Sequence, residues 1–180
     1  LGMSAISLAG IAGCTGSEDS GAGGGDDSGD NNFGNEETER PDSDNDGVPD
    51  SQDDYPNDQY LSQKDTESDT RKLEEDEWLA YELDFDSTGY VSYDFIVRDG
   101  PAIDVIFIDE SEYSHFEEGD RYEYKPDLSA LDTTGETVSN KIPEGSYRLI
   151  FDNSERGEAT PPTNFSNDVI TVDFDLEVGT

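Results

Sequence analysis

The sequence predicts a mainly β protein whose folded part is an antiparallel β-sandwich of about seven or eight strands, with a small barrel as the alternative. Three observations predict it. From about Arg71 onward Tyr, Phe, Val and Ile become frequent. Within that region apolar and polar residues alternate at period two, the mark of half-buried strands. Clusters of Gly, Pro, Asp, Ser and Thr separate the runs, as tight turns require.

The strands follow in order. In WLAYELDF, Leu79, Tyr81, Leu83 and Phe85 share one face, with Ala80, Glu82 and Asp84 on the other. In YVSYDFIV, Val91, Tyr93, Phe95 and Val97 share a face. AIDVIFID is more continuously apolar, which fits a central strand covered on both sides. Residues 111–118 read as a helical turn or an ordered loop. A short strand is expected near residues 122–125 and another over 136–142. YRLIFD sets Tyr147, Leu149 and Phe151 together. The last run, VITVDFDLEV, turns Ile170, Val172, Phe174, Leu176 and Val178 inward and Thr171, Asp173, Asp175 and Glu177 outward. The turns between them carry Asp86-Ser87-Thr88-Gly89, Asp99-Gly100-Pro101, Thr134-Gly135 and Pro143-Glu144-Gly145.

Two runs within this region, VSYDFIVRDGPAIDVIFIDESEY and PEGSYRLIFDN, resemble the GOLD-type domains and the bacterial pre-peptidase C-terminal domain. The resemblance spans about 100 residues. It implies a sandwich serving as a binding or accessory module and identifies no ligand.

The chain has 180 residues, room for one domain of ordinary size and some extras. Its 46 Asp+Glu against 10 Lys+Arg give a formal charge of −36. Phosphate binding needs a basic surface, so nucleic acid is excluded as a partner. Direct docking on anionic headgroups is disfavoured for the same reason. Self-repulsion on this scale destabilises a compact state in dilute buffer. At 1 M salt the screening length falls to about 3 Å and the charge becomes tolerable. The composition resembles that of salt-adapted proteins, such as those of halophilic archaea.

A single cysteine, Cys14, leaves no intrachain disulfide and no cysteine-based zinc site. It ends an uncharged stretch, LGMSAISLAGIAGC, that is too short to span a bilayer but fits the apolar core and cleavage region of a secretory signal. The chain starts at Leu1, so the basic part of such a signal is expected upstream. LAGIAGC resembles a lipoprotein signal ending in a lipobox, with Ile11 where leucine is usual. The resemblance implies lipidation of Cys14 and anchoring on the outer face of the cell membrane, where two acyl chains hold stably and one does not. Residues 15–41 are Gly, Ser, Asp, Glu and Asn with little apolar material. They are expected to form a disordered tether, since they cannot bury enough surface to offset the entropy of ordering. Such a coil spans about 30 Å.

Beyond the tether lies DSDNDGVPDSQDDYPND, residues 42–58. Read from Asp42 it runs D-x-D-x-D-G-x-x-D-x-x-D. A calcium loop takes ligands at its positions 1, 3, 5, 7, 9 and 12, with glycine at 6. Asp42, Asp44 and Asp46 fall on 1, 3 and 5, Gly47 on 6, Val48 with its carbonyl on 7, Asp50 on 9 and Asp53 on 12. General acidity explains many aspartates but not this alternation with glycine in register. The stretch resembles a thrombospondin type 3 repeat, a calcium-binding element of surface proteins. The resemblance implies that Asp42, Asp44, Asp46, Asp50 and Asp53 ligate Ca²⁺. Dockerins share the loop, but they need two loops followed by helices. Asp65–Thr70 keeps alternating acids without the glycine and is not expected to form a second full site.

No phosphate loop or nucleophile elbow is present. His115, the one histidine, lies among acids and reads as a surface residue. Trp78, Tyr81, Tyr90, Tyr113, Tyr122 and Tyr124 are candidates for an aromatic sugar-binding platform, with core packing as the default. Asn164-Phe165-Ser166 is a glycosylation sequon. The organisation expected is a signal remnant over 1–14, a tether over 15–41, a calcium-binding segment over 42–70 and a sandwich over 71–180. The function expected is that of a non-enzymatic, lipid-anchored surface protein whose calcium-braced stalk presents the sandwich. The alternative is a ligand-recognition module for carbohydrate or another protein.

Overall fold

The computed structural model describes residues 40–159 and 169–180. Cys14 and the sequon at Asn164 lie outside the described residues. Eight strands make two sheets: β1 (Lys64–Leu73), β2 (Glu77–Phe85), β3 (Gly89–Asp99), β4 (Ile103–Asp109), β5 (Ala130–Thr133), β6 (Gly135–Ile142), β7 (Gly145–Asn153) and β8 (Ile170–Gly179). One four-stranded sheet has the order β1-β8-β3-β6 and the other β2-β7-β4-β5. Every pairing is antiparallel. This is the expected sandwich, and the alternating faces point as the sequence predicts.

The core lies between the sheets. Phe151 of β7 meets Phe174 of β8 at 4.7 Å between ring centroids, Phe95 of β3 at 6.2 Å and Tyr81 of β2 at 6.3 Å. The inner face of β4 adds Ile103, Val105 and Phe107, and that of β3 adds Val91. A second, smaller core covers the outside of the β2-β7-β4-β5 sheet. There Ile106, Ile108 and Ile150 pack under Tyr113 and Phe116 of α1 (Tyr113–Glu118). Two cores explain why AIDVIFID is apolar on both faces, as an interior strand should be.

Two expectations fail. Residues 64–70 belong to the sandwich, not to the calcium-binding segment: β1 pairs along its whole length with β8, from Lys64 opposite Gly179 to Leu73 opposite Ile170. Its sequence gives no warning, because Leu73 is its only buried residue. The strand is an edge whose core-directed positions carry charge. Tyr81 Oη donates to Glu67 at 3.0 Å, and Arg71 pairs with Asp69 at 2.7 Å. Inward-pointing charges of this kind deter edge-to-edge aggregation. Residues 122–125 form no strand. The Lys125 N–H donates to the Phe107 carbonyl at 2.8 Å, but Pro126 follows, and the chain enters a 3-10 turn over Pro126–Leu128. Proline has no N–H with which to continue a ladder.

Arg148 of β7 ties the outer core together. Its guanidinium donates two bonds to Glu110, lies 3.2 Å from Glu82 and sits 4.5 Å above the Tyr113 ring. Lysine offers neither the fork nor the stacking plane. Arg148→Lys is expected to lower stability by about 1–2 kcal/mol, read as a fall in the urea midpoint.

Candidate metal centre

Residues 40–63 carry only turns and bends, so among the described residues no helix flanks the aspartate loop. The alternating aspartates shape it locally. An Asp side chain readily accepts from backbone N–H groups a few residues on, mimicking a turn. Asp42 accepts from Asn45 at 2.8 Å and from Gly47 at 3.1 Å. Asp44 accepts from Asp46 at 3.2 Å and Asp46 from Val48 at 2.7 Å. Two residues take left-handed backbone, Asn45 at φ 63° and Gly47 at φ 99°. Glycine reaches that region without strain, and asparagine is among the few other residues that do.

The result is convergence. Asp42, Asp44 and Asp46 each bring a carboxylate oxygen within 4.8 Å of the others. Two oxygens here are enclosed and unbonded: Oδ2 of Asp44 and Oδ2 of Asp53. Asp53 is only 9% exposed, and its other oxygen caps the Tyr55 N–H at 2.7 Å. Burial pushes the Asp44 carboxyl up from its ordinary range, and the charges of Asp46, Asp53 and Asp42 push it further, against the Asp46 N–H, which lowers it. Among the described residues no ion pair reaches any of these carboxylates. Crowded, uncompensated carboxylates are costly until something positive sits among them.

The predicted ligands are therefore not equivalent. Asp42, Asp44 and Asp46 converge, and Asp53, outside that trio but near enough for its charge to act on Asp44, has one unbonded oxygen. Asp50 turns both its oxygens to Ser43, accepting from the N–H at 2.7 Å and the hydroxyl at 2.8 Å. With the Asp50 N–H on the Pro41 carbonyl at 2.8 Å, it closes the loop instead of joining the three. Val48 is half-buried at position 7.

The loop is seated on the sandwich. Tyr55 Oη donates to Glu177 of β8 at 3.0 Å, and its ring meets Tyr90 of β3 edge-on at 6.2 Å. Gly179 leaves room for it, since a Cβ there would lie 2.7 Å from the Tyr55 oxygen. Burial, then the bond to Glu177, raises the pKa of the Tyr55 hydroxyl. Leu61 is buried, and Ser62 and Gln63 donate to the Thr180 carbonyl at 2.8 Å each. Lys141 of β6 pairs with Asp58 and holds its carboxyl below the usual range. Sequence reasoning misses this seating because its partners lie far apart in the chain, 122 residues for Tyr55 and Glu177. Tyr55→Phe deletes the bond to Glu177 and is expected to cost about 1 kcal/mol, measured by urea unfolding with calcium in excess.

The candidate aromatic platform is not assembled. Tyr81 and Tyr113 are buried in the two cores, Trp78 lies 4.3 Å under the Arg156 guanidinium, and Tyr90 is on the opposite sheet. His115 is exposed on α1. The sequence matches no protein-family model and no curated protein. Among solved structures, the pre-peptidase C-terminal domain of a collagenase from Bacillus anthracis is similar at 13% identity and a TM-score of 0.35, over 59% of this chain and 88% of that one.

Proposed function

We propose that residues 42–53 bind a calcium ion through Asp42, Asp44, Asp46 and Asp53, and that the ion braces the junction between a surface tether and the sandwich. The observation that carries this reading is the converged trio Asp42, Asp44 and Asp46, with enclosed, unbonded oxygens on Asp44 and on Asp53. Hard oxygen ligands in alternation suit Ca²⁺, which takes six to eight of them. On this reading the protein is a non-enzymatic module on the extracellular face of the membrane, anchored through lipid on Cys14.

A second reading is a recognition module for carbohydrate or protein. An open polar cleft of about 430 Å³ between Ser43 and Asp44 on one side and Tyr60 and Lys141 on the other supports it, because Tyr60 is 58% exposed there. Glycan-array binding that disappears in Tyr60→Ala would favour this reading.

The deciding experiment for the metal is calorimetric calcium titration of the whole chain beside Asp46→Ala. One stoichiometric site of about 10⁻⁴–10⁻³ M, lost in the variant, is expected. A flat titration, or one the substitution leaves unchanged, defeats the reading.

A further inference from the structure

Two carboxylates on outward-facing strand positions are buried. Across the outer face of the β2-β7-β4-β5 sheet, Trp78, Asp152 and Asp104 form one cross-strand row, Trp78 opposite Asp152 and Asp152 opposite Asp104. Both aspartates are 0% exposed. Like charges directly opposite each other on a sheet are destabilising, and more so when buried.

The chain is built around them. Asp104 is well supplied: it accepts from the Asp132 N–H at 2.8 Å on one oxygen and the Ala159 N–H at 2.7 Å on the other. The pairing of β4 with β5 shifts register between Ile103 and Val105, and Asp132 takes a left-handed φ of 46°. Gly157 passes so close that a Cβ on it would lie 1.9 Å from Asp104 Oδ2. Residues 157–159 therefore close over Asp104 as a backbone lid.

Asp152 is the anomaly. Both its carboxylate oxygens are enclosed, and the nearest donors, the hydroxyl and N–H of Ser154, meet neither of them in good hydrogen-bond geometry. Ser154 and Arg156 stand near enough to ease its ionisation, yet burial dominates and pushes the carboxyl up to about 6. Arg156 is engaged elsewhere, with Nε donating to the Phe116 carbonyl at 3.1 Å and Nη2 to that of Glu117 at 3.3 Å. A buried carboxyl so weakly bonded is relieved by a proton or by a cation held against it. Each carboxylate offers about four lone-pair positions, so Asp104 can hold its N–H donors and still face a cation.

We propose that Asp152 and Asp104 hold a hard, oxygen-ligated metal cation between β4, β7 and the 154–159 segment. This site is separate from the 42–53 loop and does not depend on it. Gly157 and Glu158 also line a cleft of about 300 Å³ with Tyr122 and Arg156.

The test uses the full chain carrying Asp46→Ala, so that the loop is silent. Thermal unfolding at neutral pH is compared in chloride salts of tetramethylammonium, sodium, potassium and calcium at equal ionic strength. At least one metal ion should raise Tm by several degrees over tetramethylammonium, and Asp152→Asn should erase that increment. Equal Tm in all four salts overturns the proposal, as does an increment that survives Asp152→Asn. Acid that stabilises while no metal does would show that a proton occupies the pair instead. A second readout needs no folded Asp152 variant. Trp78 is the chain's one tryptophan and lies next to Asp152 in register. Terbium emission excited through it should appear in the Asp46→Ala chain and fall to background when the stabilising cation is added. Absence of that emission also overturns the proposal.

Discussion

Replacing Phe151 by alanine is expected to cost about 3–5 kcal/mol of folding stability, a range typical of buried aromatic truncations. Phe151 is fully buried on β7 and touches rings from both sheets: Phe174 at 4.7 Å, Phe95 at 6.2 Å and Tyr93 at 6.4 Å, as well as Tyr81 of its own sheet at 6.3 Å. Its removal leaves a cavity whose walls are strand backbones, and paired strands cannot collapse inward without breaking their ladders. A domain of this size has roughly 5–15 kcal/mol in total, so the loss is a large share of it. The urea midpoint should fall while the slope of the transition stays fixed. Ile96→Ala serves as the control. Ile96 is 41% exposed on the outer face of β3, and its truncation should stay within about 0.5 kcal/mol. If Phe151→Ala and Ile96→Ala cost the same, the sheets do not pack on each other through this cluster.

The contrast between those two residues shows what the sequence makes legible. Ile96 breaks the alternation of β3 and sits outside, while Val91, Tyr93 and Phe95 keep it and sit inside. The same rule reads β8 correctly from Ile170 to Val178. It fails for β1, where Glu67, Asp69 and Arg71 occupy the core-facing register. An edge strand held by its ladder to β8 and by side-chain pairs needs no apolar face, so period-two reasoning has nothing to detect. It fails again at residues 122–125, where aromatic spacing imitates a strand but the next residue, Pro126, has no ladder donor.

The aspartate loop was legible for the opposite reason. Its geometry is dictated within a few residues, by Asx-type bonds from Asp42, Asp44 and Asp46 and by the left-handed Gly47. Local chemistry leaves a local signature. Asp50 is the exception, since its bonds to Ser43 reach seven residues back across the loop. Asp104 and Asp152 were illegible because AIDVIFID and YRLIFD each place a polar residue where any strand has one. Only the segment that follows β7 and the second core bury them, and neither shows in the pattern of the strand itself.

Calcium is expected to stabilise the whole sandwich and not the loop alone. A ligand that binds only the folded state adds RT ln(1 + [L]/Kd), about 2.7 kcal/mol at a hundredfold excess over Kd. That energy reaches the sandwich only if ordering the loop and seating it are one event. Asp53 supplies the connection: one oxygen is free for the metal, and the other caps the N–H of Tyr55, whose ring docks on Glu177 and Tyr90. Chelation should therefore lower the Tm of the native chain, and the calcium response left in Asp46→Ala defines what does not come from the loop. Tyr55→Ala separates binding from transmission, because it keeps the backbone N–H and all the aspartates but removes the docking ring. Its calorimetric stoichiometry should stay as in the native chain while the melting of the sandwich stops responding to calcium through the loop. If the Tm of Tyr55→Ala still rises with calcium as the native one does, the ion braces the sandwich by another route, and the remaining contacts of Ser62, Gln63 and Lys64 with the end of β8 become the place to look.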